Sequence, residues 1–183
     1  MLVGSSIATA QEDERARLQA SAQAAYQRGQ HAEALDFALR AGNFGMTPQL
    51  RLFIAVQHEA MGHLVEAVES AERCVRETEA VSSSPARDIV LERCRAMVHG
   101  LDARVGRVVV RPPTPAPEGM LVRLQGAELD ASRWGAAVPV LPGRVVVEAV
   151  FLGGVSLRRE VTVGAGAREE VPLEAPQAPR PTR

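Results

Sequence analysis

Lysine is missing from the chain: all 21 basic side chains are arginine, set against 22 acidic ones, for a formal net charge of −1. The arginines are interleaved with Asp and Glu and form no basic stripe, which argues against nucleic-acid binding. Aromatic residues are scarce, at 3% with one Trp and one Tyr, so the cores must rest on Val, Leu and Ala. No apolar run approaches the roughly 20 residues that span a bilayer, and no membrane span is expected in this chain. Also missing are a G-x-S-x-G elbow, a phosphate-binding glycine loop and a Cys/His cluster. Gly153-Gly154 and Gly164-Ala165-Gly166 read as β-turns. No catalytic, cofactor-binding or metal-ligating residue is therefore assigned, and an enzyme is not expected.

One motif comes near a metal site. His58-Glu59-Ala60-Met61-Gly62-His63 has one residue too many for H-E-x-x-H. Histidines five apart are turned by about 140° around a helix, and Gly62 interrupts the helix between them. His31 and His99 have no neighbouring ligand set.

What is present is a chain of 183 residues with 46% hydrophobic content, enough for two compact units of roughly 70 to 100 residues. From residue 12 to residue 104 the pattern is helical, rich in Ala, Leu, Gln, Glu and Arg. Breakers at Gly29-Gln30, residues 41–48, Met61-Gly62-His63 and residues 81–85 predict about five helices, over 12–28, 31–41, 47–61, 64–79 and 85–104. Ser84 before Pro85 is a natural N-cap with proline at the first helical position.

Sliding the chain on itself by 33 residues superimposes the first two helical pairs. Ala22 falls on Ala55, Gly29 on Gly62, Ala34 on Ala67, Ala38 on Ala71 and Ala41 on Cys74. The small residues let paired helices approach closely, while Leu18, Tyr26, Leu35 and Leu39 in one unit and Ile54, Leu64 and Val68 in the other fill the remaining contacts. Leu18, Ala22, Gly29, Ala34 and Ala41, followed by Ile54, Ala55, Gly62, Ala67 and Cys74, resemble the tetratricopeptide repeat family, whose units pair two antiparallel helices. Ala38 and Ala71 stand where that family carries a large aromatic. The resemblance implies a protein-binding helical array, with the final helix capping the stack.

After Val105-Gly106 the pattern changes to Val-rich runs split by Gly and Pro, with candidate strands over residues 107–111, 120–124, 137–141, 144–151, 155–163 and 169–173. Alternation is clearest over 155–163, where Val155, Leu157, Val161 and Val163 share one face. Short connections at Pro142-Gly143 and Gly153-Gly154 point to antiparallel pairing, and Glu169-Glu170 to a charged edge strand. The expected fold class is thus α+β with two domains: helical hairpin repeats, then a small antiparallel β-sandwich. Pro117, Gly119, Gly126, Pro139, Pro142 and Gly143, with Met120 and the run 144–149, resemble the PEGA domain, a β-sandwich module of bacterial surface and envelope proteins. Met120 replaces the alanine of the name motif, and Gln125 stands where an acidic residue is usual. Helical hairpins followed by such a domain are similar to envelope proteins of delta-type, myxobacterial-like bacteria. The resemblance implies a scaffold in the periplasm or cell envelope.

Residues 1–11 read either as the remnant of a secretory signal, ending at Ala8-Thr9-Ala10, or as a frayed tail that would leave a cytoplasmic location open. The resulting division is 1–11, a helical unit over 12–104, a β unit over 105–174 and a proline-rich extended tail over 175–183, which either frays or leads toward an anchor.

Cys74 and Cys94 each lie ten residues from Ser84, so an antiparallel hairpin brings them to the same height. They are either a disulfide, given export, or two buried thiols. Arg133-Trp134 sits between strands. The indole either plugs the end of the sandwich or presents a stacking surface for a sugar or a protein anchor. Two functions follow: binding of a protein or peptide partner through the helical repeats, or binding of envelope glycan or peptidoglycan through the loop around Trp134.

Overall fold

The breakers decide where the helices end. The computed structural model describes residues 3–174, and its first unit, up to Asp102, contains α1 (Val3–Gln27), α2 (His31–Gly42), α3 (Pro48–Ala60), α4 (Leu64–Glu79) and α5 (Pro85–Asp102). Thr47 caps α3: its hydroxyl accepts from the Leu50 N–H at 3.3 Å, and Pro48 follows at the first helical position, where an N–H has no helical partner. Ser84 does the same for α5, accepting from the Arg87 N–H at 3.2 Å.

The 33-residue repeat is present in the backbone. At the end of α1 the Gln30 N–H donates to the Ala25 carbonyl at 3.0 Å and the Gly29 N–H to Tyr26 at 2.9 Å. At the end of α3 the His63 N–H donates to His58 at 2.9 Å and the Gly62 N–H to Glu59 at 2.9 Å, the same pattern 33 residues on. Both caps need a left-handed residue, and Gly29 (φ 72°) and Gly62 (φ 77°) supply it. Ala34, Ala38 and Ala41 on α2 and Ala67, Ala71 and Cys74 on α4 are all fully buried, so the hairpins close on small side chains. Leu18, Ala22, Leu50 and Ile54 join Ala38 and Ala41 in the core of the first three helices.

The start of α1 departs from expectation. The helix expected from residue 12 already runs from Val3, and from Ala10 on it is rich in Ala, Gln, Glu and Arg, which favour helix. Residues 175–183, expected to be an extended tail, lie outside the described residues.

The second unit begins at Ala103, and its described residues form seven strands: β1 (Gly106–Arg111), β2 (Leu121–Leu124), β3 (Ala127–Glu128), β4 (Ala137–Val140), β5 (Gly143–Val150), β6 (Ser156–Val163) and β7 (Arg168–Pro172). They form two sheets, ordered β4-β1-β7 and β3-β2-β5-β6. Val108, Val110, Val138 and Val171 from the first sheet and Val122, Val145, Val147 and Val163 from the second belong to one buried cluster. The shared core arises because each strand turns alternate residues inward: on β5, Val145, Val147 and Ala149 are buried while Arg144 is exposed.

Among the described residues all ladders are antiparallel except one: β7 runs parallel to β1, pairing Val110 with Val171. That pairing puts the Glu170 carboxylate against the Arg111 guanidinium, with N–O distances of 2.9 and 3.2 Å, on an exposed edge strand. The hydrogen bond from Arg111, followed by its charge, lowers the Glu170 pKa below its ordinary value. Pro139 lies on the opposite edge, across from Arg107, whose N–H donates away from it to Ala167 at 2.8 Å. The missing proline N–H therefore faces outward and breaks no ladder bond.

Candidate functional site

The first helix of each pair, together with α5, lines a groove in the helical unit. Two adjoining hollows, of about 180 and 270 Å³, share Gln23 on α1 and Gln49 and Phe53 on α3. The smaller runs back to Gln19 and Thr47, and the larger reaches Val90 and Arg93 on α5.

Helical spacing produces this lining. Gln19, Gln23 and Tyr26 recur at intervals of four and three along α1, and Gln49, Phe53 and Val56 do so along α3, so each set forms one stripe. Tyr26, 39% exposed, meets the Phe53 ring edge-on with centroids 5.8 Å apart.

Gln57 lies fully buried at the floor of the larger hollow. Its amide nitrogen donates to the Phe53 carbonyl at 3.3 Å, and its oxygen lies 2.9 Å from His31 Nδ1 at the start of α2. With the His31 proton on Nδ1, both polar ends of the amide are satisfied, and α2 is tied to α3 beneath the groove. Nothing in the sequence distinguished Gln57 from the other helical glutamines, because its burial follows from how successive hairpins stack.

The groove is almost uncharged. Arg93 is its one charged lining residue, and among the described residues it has no ion-pair partner. Another hollow, of about 310 Å³ between α4 and α5, has a different character. Glu72, Arg76, Arg95 and Asp102 line it, and several of these charges engage other groups, as Arg95 does with Glu79 at 2.7 Å.

Cys74 on α4 and Cys94 on α5 are joined in a disulfide, their Cα atoms 5.9 Å apart and both residues fully buried. The Cys94 end lies one residue from Arg93, so the covalent link is adjacent to the α5 wall of the groove.

His58 and His63 approach to 5.9 Å between ring centroids across the turn from α3 to α4. His58 Nδ1 is buried without a hydrogen-bond partner. Burial lowers the His58 pKa, the Glu66 charge opposes that shift, and His63 adds to it. No group of three or more His, Cys, Asp or Glu side chains suited to a metal occurs among the described residues.

Trp134 follows a short 3-10 turn, Ala131–Arg133, that Asp130 caps by accepting from the Ser132 N–H at 2.8 Å. The indole is half-buried against the β core, and its N–H donates to the Leu129 carbonyl at 3.2 Å. The ring thus packs against the β core with its polar edge engaged internally.

The other residues singled out in the β half serve turns and edges. Gln125 and Gly126, both with positive φ, form the two-residue turn between β2 and β3. The Gln125 side chain bonds across to β5, its oxygen accepting from Val146 N–H at 3.1 Å and its nitrogen donating to the Arg144 carbonyl at 3.2 Å. Pro142 lies between β4 and β5, which Gly143 opens, and because these strands belong to different sheets the antiparallel pairing expected there does not form; Pro117 and Gly119 lie in the connection from β1 to β2. No family model, curated protein or solved structure matches the chain.

Proposed function

We propose that the chain is a non-enzymatic interaction protein whose helical unit docks a segment of a protein partner in the groove between α1, α3 and α5. The observation that carries this reading is the continuity of the two hollows across three helices, with aromatic and aliphatic surface at their shared wall. Tyr26, Phe53, Val56 and Val90 offer apolar anchorage. The Gln19, Gln23 and Gln49 amides can both donate to and accept from a peptide backbone, which suits an extended or helical segment. Arg93 is poised for a carboxylate on that segment.

In this reading the helical hairpins act as a tetratricopeptide-like array and the β unit as a PEGA-like spacer in an exported, envelope-located protein. The buried disulfide supports export, since such bonds persist in oxidising compartments. A glycan site at Trp134 is disfavoured by the internal bond of its indole N–H.

The test is differential co-purification from cell envelope of the organism that makes the protein. Phe53→Ala and Arg93→Glu are expected to remove the partner that the wild type retains. Arg73→Glu, at an exposed site outside the groove, is expected to keep it. Equal retention by all three, with unchanged circular dichroism, would overturn the reading.

A further inference from the structure

We infer that the Cys74–Cys94 disulfide is a latch on the groove: it holds α5 against α4, and its reduction frees the wall formed by Val90 and Arg93. The inference concerns regulation of the proposed docking groove and rests on that reading for its functional meaning, though the latch is testable on the protein alone.

α5 buries a smaller share of its side chains than α3 or α4 does. Of its 18 residues only Leu91, Cys94 and Leu101 are buried, so the cysteine is a main contact of the helix as well as its covalent tie. Leu91 and Leu101 supply its other buried contacts, and the polar links to α4 lie near the surface. Arg95 pairs with Glu79 at 2.7 Å, with side chains 60% and 45% exposed, and such exposed pairs contribute little. Arg87 donates to the Thr78 carbonyl at 3.0 Å and to that of Glu79 at 3.4 Å, both at the turn and not along the helix. α1, α2 and α3, by contrast, share a core that contains no residue of α5. The lower stability of α5 is therefore local, and the disulfide compensates for it at the level of Arg93.

The chemistry balances with a dithiol as reductant. One thiolate of the dithiol attacks a cysteine sulfur, and the other cysteine departs as a thiolate that takes up a proton. The second thiol then resolves the mixed disulfide, leaving two cysteine thiols and one oxidised dithiol. Cys74 Sγ lies 3.0 Å from the Pro48 carbonyl oxygen, so the released thiol finds an acceptor in place. Both residues are fully buried, so attack requires α5 to open first, and the latch is slow to release while the helix is docked.

The experiment is hydrogen exchange by mass spectrometry on the full chain, oxidised and after dithiol treatment, with alkylation confirming two free thiols. Closing a loop of 20 residues disfavours the open state on the order of 100-fold. Reduction is therefore expected to speed exchange in α5 by about that factor, while buried stretches of α1 and α3 keep their protection. The Cys74→Ala/Cys94→Ala double variant should match the reduced protein without any reagent. Unchanged α5 protection in the fully alkylated reduced protein would overturn the latch, and so would a uniform loss of protection across the helical unit. Neither result depends on a partner, so failure of the latch is distinguishable from failure of the docking reading.

Discussion

Replacing Gly29 or Gly62 with alanine tests the repeat at its most local. Both glycines sit at left-handed φ values, 72° and 77°, and a Cβ added at either would meet nothing within 4 Å. The penalty is then purely conformational, roughly 1 to 2 kcal/mol for an L-residue in that region. Alanine's smaller entropy in the unfolded chain offsets about 0.4 to 1 kcal/mol of this, leaving about 1 kcal/mol per site. The two caps share no partner, so the double substitution should cost about 2 kcal/mol. For a unit of this size each kcal/mol lowers Tm by roughly 4 to 8 °C. Urea unfolding followed by circular dichroism at the helical minimum measures the effect. Emission from Trp134, the single tryptophan, follows the β unit separately. Asparagine at either site should cost less than alanine, since it tolerates the left-handed region better. The reasoning is refuted if either alanine variant is as stable as wild type, or if the two sites differ by more than about 1 kcal/mol.

The helical unit should also lose stability as pH falls below the ordinary histidine range. The folded-state pKa of His58 is lowered, chiefly by burial, so the unfolded chain binds its proton first and is favoured as pH drops through 6.5. Urea midpoints at pH 7.5 and 5.5 measure this, and His58→Asn should flatten the dependence. A variant with the wild-type slope would show that the effect lies elsewhere. In the β unit, acrylamide should quench Trp134 much less than free indole, because the ring packs on the core and its N–H is engaged. Quenching equal to free indole would contradict that packing.

Much of this architecture was legible in the sequence because it is written in short-range signals. Gly29, Gly62, Thr47-Pro48 and Ser84-Pro85 act within a turn of the chain, and each ends or starts a helix where its chemistry requires. The spacing of Cys74 and Cys94 about Ser84 was enough to place them at one height. The early start of α1 was obscured by the resemblance of its first residues to a processed leader.

Long-range choices were not legible. Val171 reads the same whether β7 runs parallel or antiparallel, because alternation fixes a face and not a neighbour. The groove was hidden for a related reason. Gln23, Gln49 and Phe53 lie on separate helices, and only the stacking of hairpins brings them together. Trp134 stood out by its rarity, yet the bond from its indole N–H to the Leu129 carbonyl five residues away is one that a pattern of strands and turns does not reveal.

The central claim, that a partner docks between α1, α3 and α5, is tested most directly by a photo-crosslinking residue placed at Gln49, an exposed position shared by both hollows, and for comparison at Leu39 on α2, 46% exposed and outside them. Irradiation of living cells followed by mass spectrometry reads the adducts. A discrete protein adduct from Gln49 that is missing from Leu39 and lost on adding Phe53→Ala is the predicted result; no adduct from Gln49, or the same adducts from both positions, would contradict it.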